Sequence, residues 1–259
     1  MLQQASMPMQ IIIVDDGSDC DYQDIISKVD FAQLDYLRLP KRMGANVARN
    51  HGVNKANGDV ITFLDDDDAW FPNFIENHLK IYAENPTTSA VVCGSQIMGS
   101  KVQKINNDYF VSEASLRRGN NFCGMSGVSA KREVLLEYPF DVALQNGQDW
   151  DLLVRLVSNH KIIRNISKPL FQYRKNTPNS ISTLTKKLRI EKSDARLASV
   201  YKHKQWLGEY YFKRRAADQL LAFILQKPDR FKWLAKCVKL SGYRITFSIL
   251  MKKLTRTNT

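Results

Sequence analysis

Short apolar runs alternate with amphipathic stretches over the first hundred residues. Apolar runs with β-branched residues predict buried strands at about residues 10–14, 59–64 and 90–93, and residues 34–39 (LDYLRL) predict a further strand. Between them, the spacing of apolar positions predicts helices over about residues 22–29, 46–57 and 73–84. This alternation predicts an α/β fold with a mostly parallel sheet flanked by helices.

The pattern changes in the second half of the chain. Residues 94–127 are polar and irregular, and helices are predicted over 132–137 and about 149–159. Beyond residue 184, basic amphipathic helices are predicted over about 185–226 and 231–254, separated at Pro228. We therefore expect an α/β domain over residues 1–180 and a basic helical C-terminal region over residues 181–259.

Charge is divided between these two parts. Up to Val154 the chain has 13 Lys and Arg against 21 Asp and Glu, and from Arg155 onward it has 25 against 5. The balance thus changes from −8 to +20, which sums to the net charge of +12. This asymmetry indicates an acidic working half and a basic tail that meets an anionic surface, either nucleic acid or a membrane leaflet. A basic helix array that is merely soluble is the alternative.

Composition narrows the class of protein. With 44% hydrophobic and 25% charged residues, the chain is neither disordered nor collagen-like. The first ten residues lack a signal-peptide pattern, and the longest apolar runs are far below the roughly 20 residues of a spanning helix. The four cysteines stand singly, which is typical of reduced, cytoplasmic thiols.

Two predicted strands end in carboxylate clusters, Asp15–Ser18 (DDGS) and Asp65–Asp68 (DDDD). Ligands of open parallel sheets bind outside the carboxyl ends of the strands. Neighbouring carboxylates repel each other by about 1 kcal/mol in water and about 4 kcal/mol at an effective dielectric of 20. Mg²⁺ or Mn²⁺, which prefer hard oxygen ligands, would relieve this repulsion. The alternative is a solvated acidic turn that caps the helix after Pro72.

Three segments together resemble the inverting glycosyltransferases of family 2, which have the GT-A fold. They are IIIVDDGS, GANVARNHGVNKANGDVITFLDDDDAWFP and GQDWDLLVRL, in this order. The resemblance covers about residues 1–180 and is greatest to bacterial enzymes that assemble lipopolysaccharide, O-antigen or capsule. It implies metal-dependent transfer of a sugar from a nucleotide-diphosphate donor, most simply a UDP-sugar, to a hydroxyl of a glycan or lipid-linked acceptor.

The resemblance also implies roles for the acidic residues of the two strand ends. Asp16 matches the aspartate that binds the nucleotide base, with Asp15 beside it. Asp65 and Asp67 match the outer pair of the DxD motif. Asp67 is then the main metal ligand, while Asp65 and Asp66 face the ribose or the donor sugar.

Further roles follow for the two helices of the pattern. Asp149 matches the catalytic base, with Gln148 where the family usually has glutamate, and Asp151 is the second choice for the base. An N-cap role is the structural alternative for Asp149. Arg49 and Asn50 match the ARN helix, where nucleotide contact and helix packing are equally good interpretations.

The family pattern begins with a strand of the type V-S-V-I-I-P-x-Y-N, whereas this sequence begins with residues similar to the end of the following helix. We therefore expect the domain to lack that first strand of the nucleotide floor. A catalytically inactive relative is accordingly an alternative function. A nucleic-acid-binding protein is a weaker one, because the acidic clusters would repel phosphates, and nucleic acid is not an expected partner.

The C-terminal segments Phe231–Leu240 and Ile245–Leu254 place bulky apolar residues among lysines. As helices they are typical of an interfacial segment, which predicts peripheral binding at the anionic inner face of the bacterial membrane. The alternative is that these apolar residues pack against the sheet domain.

Overall fold

The chain divides into two compact units in a computed structural model that describes residues 3–175 and 181–256. The first, here called the α/β unit, comprises Met1–Glu113, Asn120–Ala143 and Gln148–Arg174. The second, the helical unit, comprises Ala114–Gly119, Leu144–Gly147 and Lys175–Thr259. The boundary expected between residues 180 and 181 adjoins residues 176–180, which lie outside the described residues.

The described strands all lie in the α/β unit. They are β1 (Ile11–Asp15), β2 (Leu34–Arg38), β3 (Val60–Thr62), β4 (Ala69–Trp70), β5 (Thr88–Ile97), β6 (Gln103–Lys104), β7 (Val128–Lys131) and β8 (Ile162–Tyr173). The described helices, in chain order, are α1 (Gln23–Ile26), α2 (Ala45–Lys55), α3 (Phe74–Glu84), α4 (Glu113–Arg118), α5 (Arg132–Glu137), α6 (Gln148–Ser158), α7 (Ile181–Lys186), α8 (Ser193–Lys202), α9 (Lys204–Leu220), α10 (Arg230–Ser241) and α11 (Tyr243–Arg256).

The strands form two sheets. β1 and β2 pair in parallel as a two-stranded sheet, with Ile11 opposite Leu34 and Asp15 opposite Arg38. The other strands form a six-stranded sheet in the order β3-β7-β5-β8-β4, with β6 paired to β5. Among the described residues, β1 therefore pairs only with β2, and β3 pairs only with β7.

The ladder between β5 and β8 is the centre of the α/β unit. It runs in parallel from Thr88 opposite Ile162 to Ile97 opposite Tyr173, with bulges on the way. Seven consecutive residues of β5 are buried from Thr88 to Gly94, because helices and strands cover this part of the strand. α3 and α6 pack on this ladder, and the buried residues of α6 include Trp150, Leu152 and Leu156.

The helical unit packs α8, α10 and α11 against α9. Its buried side chains include Leu197 on α8, Ala216 and Leu220 on α9, and Trp233 and Cys237 on α10. Within α9 the backbone departs from helical geometry at Gly208, whose φ of 68° is readily adopted only by glycine. In the described part of the chain, no helix is long and apolar enough to cross a bilayer.

The predicted α/β class with flanking helices and a helical C-terminal region is confirmed. The prediction of parallel pairing is correct for the two longest ladders, β1–β2 and β5–β8. Four short pairings are antiparallel: β3–β7, β5–β7, β4–β8 and β5–β6. Residues 94–127, expected to be irregular, contain the end of β5, β6 and α4. The sequence pattern missed β7 and β8, and the predicted basic helices are divided further, at His203, Gly208 and Gly242.

Candidate functional site

The first acidic pair lies at the end of β1, as predicted. Asp15 is buried and accepts hydrogen bonds from the Ser18 amide and the Tyr36 hydroxyl, both at 2.8 Å. The hydrogen bonds from Ser18 lower the pKa of Asp15 most. The hydrogen bond from the Tyr36 hydroxyl and the positive charge of Arg38 lower this pKa further. These contacts hold the Asp15 carboxylate between β1 and β2.

Asp16 organises the loop that precedes α2. Its two carboxylate oxygens accept hydrogen bonds from the backbone amides of Met43 at 2.7 Å and Gly44 at 2.8 Å. Gly17 follows in the left-handed region, and a Cβ there would lie 2.4 Å from the carbonyl carbon of Lys41. The DDGS motif thus brings β1 and the loop into a contact that only glycine permits.

The four aspartates after β3 are in different environments. Asp65 is 2.7 Å from the Arg49 guanidinium, and its backbone amide donates to the Ser126 hydroxyl at 3.1 Å. Asp66 is exposed, whereas Asp67 is partly buried. Only the first of these four side chains is therefore joined to α2 by an ion pair among the described contacts.

Asp68 is fixed from two sides. It accepts hydrogen bonds from the Ser126 hydroxyl at 2.7 Å and from the backbone amide of Arg174 at 3.0 Å. Burial raises the pKa of Asp68, and the charges of Asp67 and Asp65 raise it further, while its two hydrogen bonds oppose the shift. The carboxylates therefore concentrate negative charge at this strand end, as the sequence predicted.

Arg49 and Asn50, adjacent on α2, have different roles in the structure. Arg49 contacts Asp65 with one terminal nitrogen, while its buried Nη1 has no hydrogen-bond partner in the described structure. The Asn50 side chain both donates to and accepts from the backbone of Phe140, at 2.9 Å each. The packing interpretation is therefore correct for Asn50, whereas Arg49 faces the acidic cluster.

Asp149, the predicted base, lies in the first turn of α6 and is partly exposed. Its Oδ2 accepts a hydrogen bond of 2.7 Å from the Asn120 side chain, and its Oδ1 accepts one of 2.8 Å from the Trp150 amide. Asp151 is 1% exposed and ion-paired with Arg155 at 2.9 Å. The second choice for the base is therefore wrong, because the helix turns Asp151 into the core.

One segment, residues 120–126, joins these groups. Asn120 holds Asp149 at its beginning, and Ser126 bonds to Asp65 and Asp68 at its end. Asp15 and Asp16 are held separately, by β2 and by the loop before α2. The described bonds therefore connect Asp149, Arg49 and the β3 aspartates, and they do not extend to the β1 pair.

Sequence reasoning missed three residues of this network: Asn120, Ser126 and Arg174. Asn120 and Ser126 both lie in the segment 94–127, which was expected to be irregular. Arg174 follows β8 and donates from its Nε to the backbone carbonyl of Asp67 at 3.0 Å. The polar, glycine-rich segment GNNFCGMSG between predicted elements was the available signal, since functional residues often lie on such loops.

The side chains at the end of β3 are of the chemical type that binds divalent cations. They offer hard carboxylate oxygens, and the charges of Asp67 and Asp65 add to the effect of burial in raising the pKa of Asp68. Among the described residues, no group of three acidic, histidine or cysteine side chains is arranged to hold a metal ion. Oxygens of a bound diphosphate and water would have to supply the remaining ligands.

An α/β fold with carboxylates at its strand ends and on a neighbouring helix has the features expected of a nucleotide-sugar transferase. The family model for glycosyl transferase family 2 matches residues 1–137, and the chain belongs to this family. The prediction of a GT-A glycosyltransferase is thereby confirmed.

Three known proteins illustrate the relationship. An uncharacterized glycosyltransferase of Haemophilus influenzae is 25% identical over 92% of this chain and 81% of its own length. The glucosyl-dolichyl phosphate glucuronosyltransferase of Haloferax volcanii is 27% identical over 53% of this chain and 47% of its own. A crystal structure of Staphylococcus aureus TarS 1-349 in complex with UDP-GlcNAc superimposes with a TM-score of 0.66 at 14% identity, covering 98% of this chain and 85% of that one.

Other curated glycosyltransferases are matched over a smaller share of their length. The chain spans 48% of one from Nostoc and 57% of a second from Haemophilus influenzae.

Proposed function

We propose that the protein transfers a hexosyl group, with inversion, from a nucleotide-diphosphate sugar, most simply a UDP-sugar, to a hydroxyl of a glycan or lipid-linked acceptor. The products would be cell-surface polysaccharides such as O-antigen, lipopolysaccharide or capsule. The observation that carries this proposal is the network through residues 120–126, which connects Asp149 with Arg49 and the aspartates after β3.

The nucleotide lies between the two strand ends in this proposal. Asp16 and Asp15 face the base, and Asp65 and Asp66 face the ribose or donor sugar. Arg49, with an unpaired buried N–H beside Asp65, is placed to donate to a donor oxygen. A donor of this class is supported by family membership and by the UDP-GlcNAc complex of the similarly folded TarS.

Asp67, with Asp65, would hold Mn²⁺ or Mg²⁺. The ion would stabilise the charge that develops on the departing nucleoside diphosphate. Asp67 is the main ligand in this proposal, and Asp65, which is 2.7 Å from Arg49, is the second.

Asp149 acts as the general base. The acceptor oxygen forms a bond to the anomeric carbon, the bond from that carbon to the diphosphate oxygen breaks, and its electron pair leaves with the nucleoside diphosphate. Asp149 takes the acceptor proton. Asn120 keeps the carboxylate in position.

The proposed place of action is the cytoplasmic side of the bacterial membrane. The four described cysteines are free, in agreement with this proposal. A lipid-linked acceptor is supported by the Haloferax volcanii relative, whose name refers to glucosyl-dolichyl phosphate.

Thermal unfolding and turnover test the proposal together. UDP should raise the Tm of the full chain only with Mn²⁺ or Mg²⁺, because a ligand that binds the folded state stabilises it. Asp67→Ala should abolish this shift. The matched control Asp59→Ala, at the other end of β3, should retain it. An equal shift in Asp67→Ala and the unmodified protein would remove Asp67 from the site.

Asp149→Asn separates chemistry from binding. The variant should keep the metal-dependent Tm shift and lose roughly 10²-fold or more of donor turnover, the scale of general-base loss. Normal turnover would overturn the assignment of Asp149. An unmodified protein with no UDP shift under any metal condition would favour the inactive relative instead.

A further inference from the structure

The last helix carries a stripe of large apolar side chains on its outer face. Tyr243, Phe247 and Met251 follow one another at four-residue spacing on α11, which places them along one side, about 6 Å apart. They are 68%, 64% and 44% exposed. Thr246 and Ile249 are buried, and α11 packs on α9 and α10. Packing of α11 within the protein therefore does not use the stripe.

The two final helices are strongly basic. α10 and α11 contain eight basic and no acidic residues: Arg230, Lys232, Lys236, Lys239, Arg244, Lys252, Lys253 and Arg256. Some of these charges are neutralised, for example Lys236 by Asp194 and Lys253 by Asp218, at 2.7 and 2.9 Å.

The cations beside the stripe are different. Arg244 and Lys252 directly follow Tyr243 and Met251 on the helix, and both are exposed. Neither has an acidic partner within ion-pairing distance in the described part of the chain. The stripe is therefore flanked by positive charge that nothing described compensates.

We propose that this stripe, Tyr243, Phe247 and Met251 with Arg244 and Lys252, docks on the surface of an anionic lipid bilayer. Apolar side chains enter the boundary between headgroups and acyl chains, while the cations contact lipid phosphates. The helix lies in the plane of the interface, because its other side remains packed in the helical unit. This inference goes beyond sugar transfer and does not depend on it.

Charge and side-chain chemistry favour a bilayer over other occupants. A second copy of the chain would bring two uncompensated basic flanks together, which costs free energy, whereas an anionic leaflet is complementary to them. Nucleic acid would satisfy Arg244 and Lys252 and could stack bases on Tyr243 and Phe247, but it would leave Met251 without a partner. The lipid interface accommodates all three apolar side chains together with the cations.

Flotation of the full chain with vesicles tests the proposal. We expect binding to phosphatidylglycerol–phosphatidylcholine vesicles, weaker binding at high salt, and no binding to pure phosphatidylcholine. Phe247→Ala should lower the partition coefficient roughly tenfold or more, the scale of one buried aromatic side chain. The double variant Arg244→Gln, Lys252→Gln should remove the difference between anionic and neutral vesicles.

Tyr210→Ala is the matched control, because Tyr210 is an aromatic side chain of similar exposure, 57%, on α9. It should bind vesicles like the unmodified protein. Equal binding by Phe247→Ala, with unchanged circular dichroism, would overturn the proposal. So would a dimer in sedimentation that Phe247→Ala dissociates, or binding to duplex RNA in place of vesicles. The vesicle assay contains neither donor nor metal. A negative result would therefore overturn the lipid-docking proposal and leave the sugar-transfer proposal unaffected.

Discussion

Asn120 uses its whole side chain in the site. Its amide group donates to Asp149 at 2.7 Å and to the carbonyl of Cys123 at 2.6 Å, and its oxygen accepts from the Phe122 amide at 3.1 Å. The hydrogen bonds within the loop therefore hold the Asn120 amide in place independently of its contact with the Asp149 carboxylate. Such preorganisation would reduce the freedom of Asp149 in its proposed role as the base, without direct contact between Asn120 and the reacting atoms.

Replacement of Asn120 should accordingly affect turnover more than binding. We expect Asn120→Ala to lower kcat roughly tenfold, less than Asp149→Asn, while KM for the donor changes little. Steady-state kinetics measure both constants. Asn121→Ala, an exposed neighbour, is the control and should behave like the unmodified protein. A rise in KM with unchanged kcat would show that Asn120 serves substrate binding instead.

Among elements, α3 illustrates how a titratable side chain enters the core. His78 stacks on Phe74 at 4.1 Å, and its Nδ1 is 2.7 Å from the Ser129 hydroxyl on β7. The ring is 2% exposed, and burial lowers the pKa of His78 to about 3. The folded protein therefore keeps this imidazole neutral at pH values where an unfolded chain protonates it.

His78 should make the protein less stable in mild acid. Above about pH 6.5 the His78 ring is neutral in both the folded and the unfolded protein. Between about pH 6.5 and pH 3 it is protonated only in the unfolded protein. The free energy of unfolding should fall by as much as about 1.4 kcal/mol per pH unit from this residue. Urea titrations at pH 7 and pH 5 should show a smaller loss for His78→Gln than for the unmodified protein. Equal losses would contradict the assignment.

Lys227 is a buried titratable side chain of the helical unit, as His78 is of the α/β unit. Its Nζ lies 3.5 Å from the centre of the Trp233 ring and donates to the carbonyl of Leu220 at 2.9 Å. Burial, together with the charges of Arg196 and Lys253, lowers the pKa of Lys227 to about 7. The contact with Trp233 compensates only part of the cost of burying this charge.

Because Lys227 is buried, the free energy of unfolding should rise with pH. Below about pH 7 both states carry the charge, whereas between about 7 and 10.5 only the unfolded state does, so folding is favoured as pH increases. Urea unfolding at pH 7 and pH 9.5 should show this increase for the unmodified protein. The increase should be smaller for Lys227→Met, and Lys232→Met, an exposed control on α10, should leave it unchanged. An undiminished increase in Lys227→Met would contradict the burial of a titrating amine.

At the scale of the whole molecule, contiguous patterns were predictable from the sequence and tertiary pairings were not. β1 was recognised because its apolar residues are uninterrupted and end at turn residues. β8 was missed because Lys168 and Pro169 interrupt its pattern, and its strand conformation depends on pairing with β5.

The same distinction applies to the site. The DDGS and DDDD clusters are contiguous, so their position at strand ends could be predicted from their order. Ser126 and Arg174 are single residues whose importance comes from contacts with Asp68 across 58 and 106 positions of the chain. No local pattern records such a contact. Asp151 was a wrong alternative because the direction of a side chain on α6 depends on what packs against that helix.

The long ladder between β5 and β8 has a consequence for synthesis of the chain. Ile97 ends β5, and Ile162 begins its partner roughly 65 residues later. At about 5–20 residues per second, a ribosome needs on the order of 3–13 seconds to supply that partner. During this interval one edge of β5, whose central residues 90–94 are apolar, has no native neighbour. Nascent β5 should therefore benefit from chaperones during synthesis and from slow dilution in a refolding experiment.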